Sequence, residues 1–168
     1  MLNEFDAKAR DWDSNPVHTE RSEAISQALV LQLPLHSGMK AMEFGAGTGL
    51  LSFLLRNKLG EITLLDSSAE MVRVSREKID MQQIRNMHLL HINLEKDTLS
   101  DTFDLVYSQM VFHHISDIDL IIKKLYTLIR PGGYLAIADL YPEDGTFHGE
   151  DFTGHPGFDP EWLSEKLL

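Results

Sequence analysis

Met39-Lys40-Ala41-Met42-Glu43-Phe44-Gly45-Ala46-Gly47-Thr48-Gly49-Leu50 is a short apolar run that breaks into alternating glycines and then into leucines. Glycines at 45, 47 and 49 let the backbone turn sharply after a strand, and they let a ligand approach where a Cβ would collide. Leu50 to Leu59 continues in the strong helix formers Leu, Arg and Lys until Gly60 stops it. The stretch therefore reads as strand, tight loop, helix. Its spacing departs from the dinucleotide fingerprint G-x-G-x-x-G, because the third glycine falls one position early and Leu50 stands at the expected site. That departure argues against NAD and FAD.

Downstream the same alternation repeats. Ile62 to Leu65 is a second apolar run closing on Asp66, with Ser67 and Ser68 as candidate caps, Glu70 near the helix start, and a helix to about Ile79. Met87 to Ile92 reads as a third strand and Phe103 to Tyr107 as a fourth, separated by a polar loop with Asp97, Ser100 and Asp101. A helix starting near Asp117 places Ile118, Ile121, Ile122, Leu125 and Leu128 on one face. Pro131-Gly132-Gly133 ends it and feeds a fifth strand, Tyr134 to Ala138. Upstream, Ile25, Ala28, Leu29 and Leu33 recur at helical spacing between Val17 and Pro34, predicting an amphipathic helix behind a short arm. Alternating strands and helices imply an α/β chain with a parallel sheet, right-handed crossovers, helices on both faces, and ligands at the carboxyl ends of the strands.

With 168 residues and 43% hydrophobic content, the chain is expected to bury one core as a single domain, 1–168. Residues 1–36 would be the N-terminal arm and helix, 37–139 the ligand-binding core, and 140–168 an overhanging loop and the start of a helix. The absence of cysteine excludes disulfides and thiolate metal sites. A formal net charge of -11 disfavours phosphate backbones and anionic lipid surfaces, so neither nucleic acid nor membrane is expected as a partner. Met1 to Arg10 carries charges without an apolar run, and a soluble cytoplasmic protein is expected.

The spacing Glu43-x-Gly45-x-Gly47-x-Gly49, followed by the succession of strands from about Phe5 to Pro160, resembles the class I S-adenosylmethionine-dependent methyltransferases of the small-molecule type. The resemblance implies a Rossmann-like, doubly wound, mostly parallel sheet. It also implies S-adenosyl-L-methionine as cofactor, S-adenosyl-L-homocysteine as product and a small-molecule acceptor. Phe44, Gly45, Ala46 and Gly47 would form the cofactor loop, and Glu43 would reach the cofactor's amino group directly or through water. A loop-stabilising carboxylate that accepts backbone N–H groups is the other role open to Glu43. Asp66, about twenty residues beyond the first loop glycine, ends its strand where a carboxylate accepts hydrogen bonds from both ribose hydroxyls, with Ser67 beside it. A helix N-cap is the alternative. Met71 would wall the adenine or serve the core. The family's usual Asp after the third strand is replaced by Asn93-Leu94-Glu95; the Asn93 carbonyl would accept the adenine amino group and Leu94 would pack on the ring.

Phe103-Asp104-Leu105-Val106-Tyr107-Ser108-Gln109-Met110-Val111-Phe112-His113-His114-Ile115 resembles the family's fourth motif, in which Ser108 and Gln109 flank the methionine part of the cofactor. His113 and His114 are the candidate catalytic pair for an acceptor that must lose a proton, and structural residues otherwise. Trp12 and Arg21 match the place where related enzymes close over the cofactor, and would pair with its carboxylate; a packed aromatic and a surface cation are the other roles open to them. In the Gly-, acid- and aromatic-rich loop from Asp139 to Phe158, His148, Asp151 and His155 offer nitrogen and oxygen donors, but no helix aligns them and no metal is assigned.

The family fold has seven strands, the last two forming a hairpin beside the fifth; here the sequence reaches Leu168 within a helix beginning near Asp159. The last two strands are therefore expected to be lacking, leaving Leu135-Ala136-Ile137-Ala138 an open edge through which a homo-oligomer would form. Three functions compete at this stage. They are methyl transfer to an unidentified small acceptor, a non-catalytic S-adenosylmethionine-binding module or truncated pseudoenzyme, and, disfavoured by the loop spacing, an NAD-dependent oxidoreductase.

Overall fold

The computed structural model describes residues 4–148 and 151–167. A 3-10 helical segment, Asp6–Ser14, leads into α1 (Pro16–Gln32), where Asn15 accepts a hydrogen bond from the Val17 N–H and Pro16 occupies the first turn. Both features favour a helix start, since Asn satisfies an orphan donor and Pro has none to satisfy. Then come β1 (Lys40–Phe44), α2 (Leu50–Leu55), β2 (Glu61–Asp66), α3 (Ala69–Met81), β3 (Met87–His91), β4 (Phe103–Gln109), α4 (Ile118–Leu128), β5 (Ile129–Ala138) and α5 (Pro160–Lys166). A short 3-10 turn, Phe112–His114, follows β4. Ser68, Asp117 and Asp159 cap α3, α4 and α5, accepting from the N–H groups of Met71, Leu120 and Trp162.

The five strands form one sheet in the order β3-β2-β1-β4-β5, and every pairing is parallel. The chain runs outward from β1 in one direction and returns to its other side with β4, so the crevice between the carboxyl ends of β1 and β4 is the topological switch point. Alternation along the strands divides the core. Ala41, Ile62, Leu64, Leu105 and Tyr107 pack with Leu29, Leu51 and Ile79, whereas Met42, Phe44, Leu65 and Val106 pack with Ile118, Ile121, Leu125 and Leu128. Helices α1, α2 and α3 thus contribute to one layer and α4 to the other. β5 pairs only with β4 among the described residues, and its other edge is open.

Several elements differ from expectation. Helix α2 ends at Leu55 instead of Leu59 because the chain turns to bury Leu59, 3% exposed, and Gly60 lies so close to the Ser37 carbonyl that a Cβ there would stand 2.5 Å from it. Helix α1 is not cleanly amphipathic: Leu29 and Ser22 are buried, while Val30 and Leu31 face outward. Strand β5 begins at Ile129, with a register irregularity between Phe103 and Leu105 that loops out Arg130-Pro131-Gly132-Gly133 before Tyr134 rejoins β4. The expected corner is therefore a bulge inside the strand. No helix among the described residues is long and apolar enough to cross a membrane.

Candidate active site

A cavity of about 850 Å³ opens above the switch point, within the usual size of small-molecule sites. Its floor is the loop Phe44-Gly45-Ala46-Gly47 after β1. Gly47 has φ of 55°, in the left-handed region that favours glycine, and a Cβ there would meet nothing closer than the Met71 Sδ at 3.8 Å. Gly49, also with positive φ, serves packing instead: a Cβ would stand 2.8 Å from Leu64 Cδ2 and 3.0 Å from Ser75 Oγ.

Asp66 lines the cavity at the end of β2. Its Oδ2 accepts from the Gly47 N–H at 2.7 Å and its Oδ1 from the Ser68 N–H at 2.8 Å, so the carboxylate joins strand end, glycine loop and helix start. The helix cap is Ser68 and not Asp66. Burial raises the Asp66 pKa, opposed by hydrogen bonds from the Ser68 and Gly47 N–H groups. Ser67, Met71, Asn93 and Leu94 line the same side. Met71 and Leu94 are buried apolar walls. Asn93 Oδ1 already accepts from the Glu95 N–H at 3.0 Å, and a carbonyl oxygen retains a second lone pair.

The opposite side is formed by Gln109, Val111, His113 and His114, and the roof by the N-terminal segment with Trp12 and Arg21. Gln109 and Ser22 are hydrogen-bonded, Nε2 donating to Ser22 Oγ at 2.8 Å, which ties β4 to α1. Trp12 stacks on His18 at 4.0 Å between ring centroids. Burial lowers the Arg21 pKa and Asp139 opposes the shift, yet the guanidinium stays cationic.

Two expected cofactor residues do not reach the cavity. Glu43 is fully buried beneath the loop, where its Oε2 accepts from the Ser52 N–H at 3.2 Å and from the Ser52 hydroxyl, which also meets the Tyr107 hydroxyl at 2.6 Å. The alternation of β1 turns Glu43 toward α2, and its acceptor bonds go to Ser52 of that helix. Burial pushes its pKa up to about 8, against the hydrogen bonds from Ser52. Ser108 is also buried and absent from the cavity wall.

His113 and His114 stand on the 3-10 turn after β4. His113 is buried, and its Nδ1 lies 2.6 Å from Asp139 Oδ1. Asp139 Oδ2 accepts from the N–H groups of Val111 and Phe112 at 3.0 and 2.8 Å, so one carboxylate at the end of β5 orients both the turn and the imidazole. Burial, with His113 and His148 adding, pushes the His114 pKa down to about 4. His148, Asp151 and His155 do not converge as a donor group among the described residues, and the His155 Nε2 is held 3.0 Å from the Ile115 carbonyl. Instead, His148 joins His113 and His114, with ring nitrogens within 4.8 Å of one another. Sequence reasoning missed Asp139, although its strand-end position is the same signal that singled out Asp66. It also missed the roof residues Glu4, Phe5 and Lys8, which have no motif.

The family model described as a methyltransferase domain matches residues 35–154. An uncharacterised methyltransferase of Schizosaccharomyces pombe is 34% identical over 142 residues, covering 74% of this chain and 50% of the relative. A malonyl-[acyl-carrier protein] O-methyltransferase of Enterobacter lignolyticus is 31% identical over 131 residues, covering 75% and 50%. The chain thus spans about half the length of these relatives. In structure, it superimposes on a putative methyltransferase from Bacillus halodurans with a TM-score of 0.73 at 16% identity, covering 84% of this chain and 66% of that one. On the glycine loop, the parallel sheet around it and these matches, the chain belongs to the class I, Rossmann-like methyltransferase domain family.

Proposed function

We propose that this domain binds S-adenosylmethionine in the cavity above the β1–β4 crevice and transfers its methyl group to a small-molecule acceptor. The observation that carries the reading is the joined unit of open Gly47 and Asp66, which leaves a backbone cradle beside a strand-end carboxylate. The residues fit the cofactor in chemistry. A carboxylate suits ribose hydroxyls, Met71 and Leu94 suit an adenine face, and Arg21 suits the carboxylate of a methionine moiety. When bound, S-adenosylmethionine supplies an electrophilic methyl group on a sulfonium.

This chain's contribution is positioning and exclusion of water, because an in-line displacement gains most from holding its partners aligned. The N-terminal segment roofs the cavity and Gln109 anchors β4 beneath it. His113, held at Nδ1 by Asp139, is the residue suited to take a proton from a hydroxyl or ammonium acceptor, because an imidazole that donates Nδ1–H to a carboxylate has its lone pair on Nε2. The O-methyltransferase among the relatives is compatible with an oxygen acceptor.

Calorimetric titration with S-adenosylmethionine and S-adenosylhomocysteine tests the reading. Saturable binding is expected, weakened about 10- to 100-fold in Asp66→Ala as charge-assisted hydrogen bonds are lost. A folded protein that binds neither ligand would refute it. Binding without turnover over a panel of hydroxyl and amine acceptors would favour a non-catalytic module.

A further inference from the structure

We propose that His113, His114 and His148 form a binding site for a divalent transition-metal ion, with Asp139 as the carboxylate that orients His113. The three ring nitrogens converge within 4.8 Å from two separate parts of the chain, the turn after β4 and the loop after β5. Zinc–nitrogen bonds of about 2.0–2.1 Å place nitrogens in a tetrahedral site about 3.4 Å apart, so the cluster closes by roughly 1 Å on loading. His148, on a loop, can supply that movement.

Three further observations point to an ion. The His148 Nδ1 is shut off from solvent, in a ring stacked on Phe152, and has no hydrogen-bond partner among the described residues. The His113–Asp139 contact of 2.6 Å is the carboxylate–histidine arrangement that fixes the tautomer and orientation of metal-ligating imidazoles. Glu4 Oε1 lies 3.7 Å from His114 Nδ1, adding a second carboxylate beside the cluster. The charged groups facing the cluster are Asp139, Glu4 and Glu143 on the acidic side and Lys8 on the basic side, with Arg21 in the same cavity interacting with Asp139.

His114 and His148 also line a second cavity of about 540 Å³, bounded by Ser116, Asp151 and Phe152, so the cluster stands where the two cavities meet. Three nitrogen ligands leave at least one coordination position open, as in catalytic metal sites. A hydroxyl, enol or carboxylate oxygen would occupy it, and the cation would favour the anionic form of that group. In the loaded protein the His113 lone pair is therefore on the metal, and the ion replaces it in preparing an oxygen acceptor. This last consequence rests on the methyl-transfer reading; the metal site does not.

The test is titration of tag-free full chain with Co²⁺ and with Zn²⁺ alone, read by calorimetry and by the visible ligand-field bands of cobalt. One equivalent should bind saturably, with the intense bands of a low-coordinate nitrogen site. His148→Ala should weaken binding at least tenfold without altering the thermal transition, Asp139→Asn about 10- to 100-fold, and the exposed control His88→Ala not at all. A folded chain that fails to bind, or an unchanged affinity in both His148→Ala and His114→Ala, would overturn the proposal. A parallel S-adenosylmethionine titration separates the two ideas. Cofactor binding without metal binding removes the metal site alone, and metal binding without cofactor binding supports the site while removing the methyl-transfer reading.

Discussion

Glu43 and Asp66 are carboxylates near the carboxyl ends of the neighbouring strands β1 and β2, yet their surroundings give them different tasks. Asp66 is at the cavity wall with two backbone donors, while Glu43 is sealed against Ser52 and Tyr107. Its Oε1 has no hydrogen-bond partner among the described residues, which makes ionisation costly. The folded pKa of about 8 lies above the ordinary carboxyl value of 4.5, so the folded state holds a proton that the unfolded state has released between these values. Stability therefore falls as pH rises from about 5 to 8, by up to about 1.4 kcal/mol per unit. Glu43→Gln should flatten that slope in urea unfolding measured at pH 5, 6, 7 and 8. An unchanged slope would mean that another group titrates.

At the scale of elements, the N-terminal 3-10 segment is held over the site by two ties, Asp6 to the start of α3 at its beginning and Asp13 near its end. Asp13 accepts from Lys78 Nζ at 2.6 Å and from the Thr48 hydroxyl at 2.5 Å, and the same ammonium donates to the Thr48 carbonyl at 2.9 Å. Segment, glycine loop and α3 meet in these three bonds. Ala9 is the one buried residue recorded within the segment, so little apolar packing backs the ties. Asp13→Ala should speed amide exchange across residues 6–14 by about tenfold, from the loss of roughly 1.5 kcal/mol of charge-assisted bonding. Exchange within β1 and β4 should not change, and S-adenosylmethionine affinity should fall several-fold. Equal acceleration in the sheet would instead indicate global destabilisation.

For the whole molecule, the sheet divides the apolar residues into two layers that share only the strands. Leu51 on α2 is fully buried in one and Ile121 on α4 in the other. Truncation of either to Ala should cost about 2–5 kcal/mol in chemical denaturation. The double variant should lose the sum within about 0.5 kcal/mol, as expected of separated sites. A clear deviation from additivity would show that the layers couple through the sheet. Much of this architecture was legible beforehand: the five strands, the three later helix caps and the glycine loop follow from period, cap chemistry and breakers. The lengths of α2 and β5 were not, because the burial of Leu59 and the bulge at Arg130–Gly133 answer to neighbours distant in the chain.

The sequence alone determined the class of fold, the glycine loop and the family, since these rest on local chemistry: glycines in a tight turn, a carboxylate closing a strand, helix formers between breakers. Most candidate residues, from Phe44 to Gln109 and with Trp12 and Arg21, meet at one cavity because each sits at a strand end or over one. Tertiary structure alone decided that Glu43 and Ser108 are turned away from that cavity. It also decided that Asp139 backs His113, and that His148 joins His113 and His114 instead of Asp151 and His155. Which face of a strand a side chain takes, and which loop folds over which turn, depend on packing between segments far apart in sequence, and no local spacing encodes them.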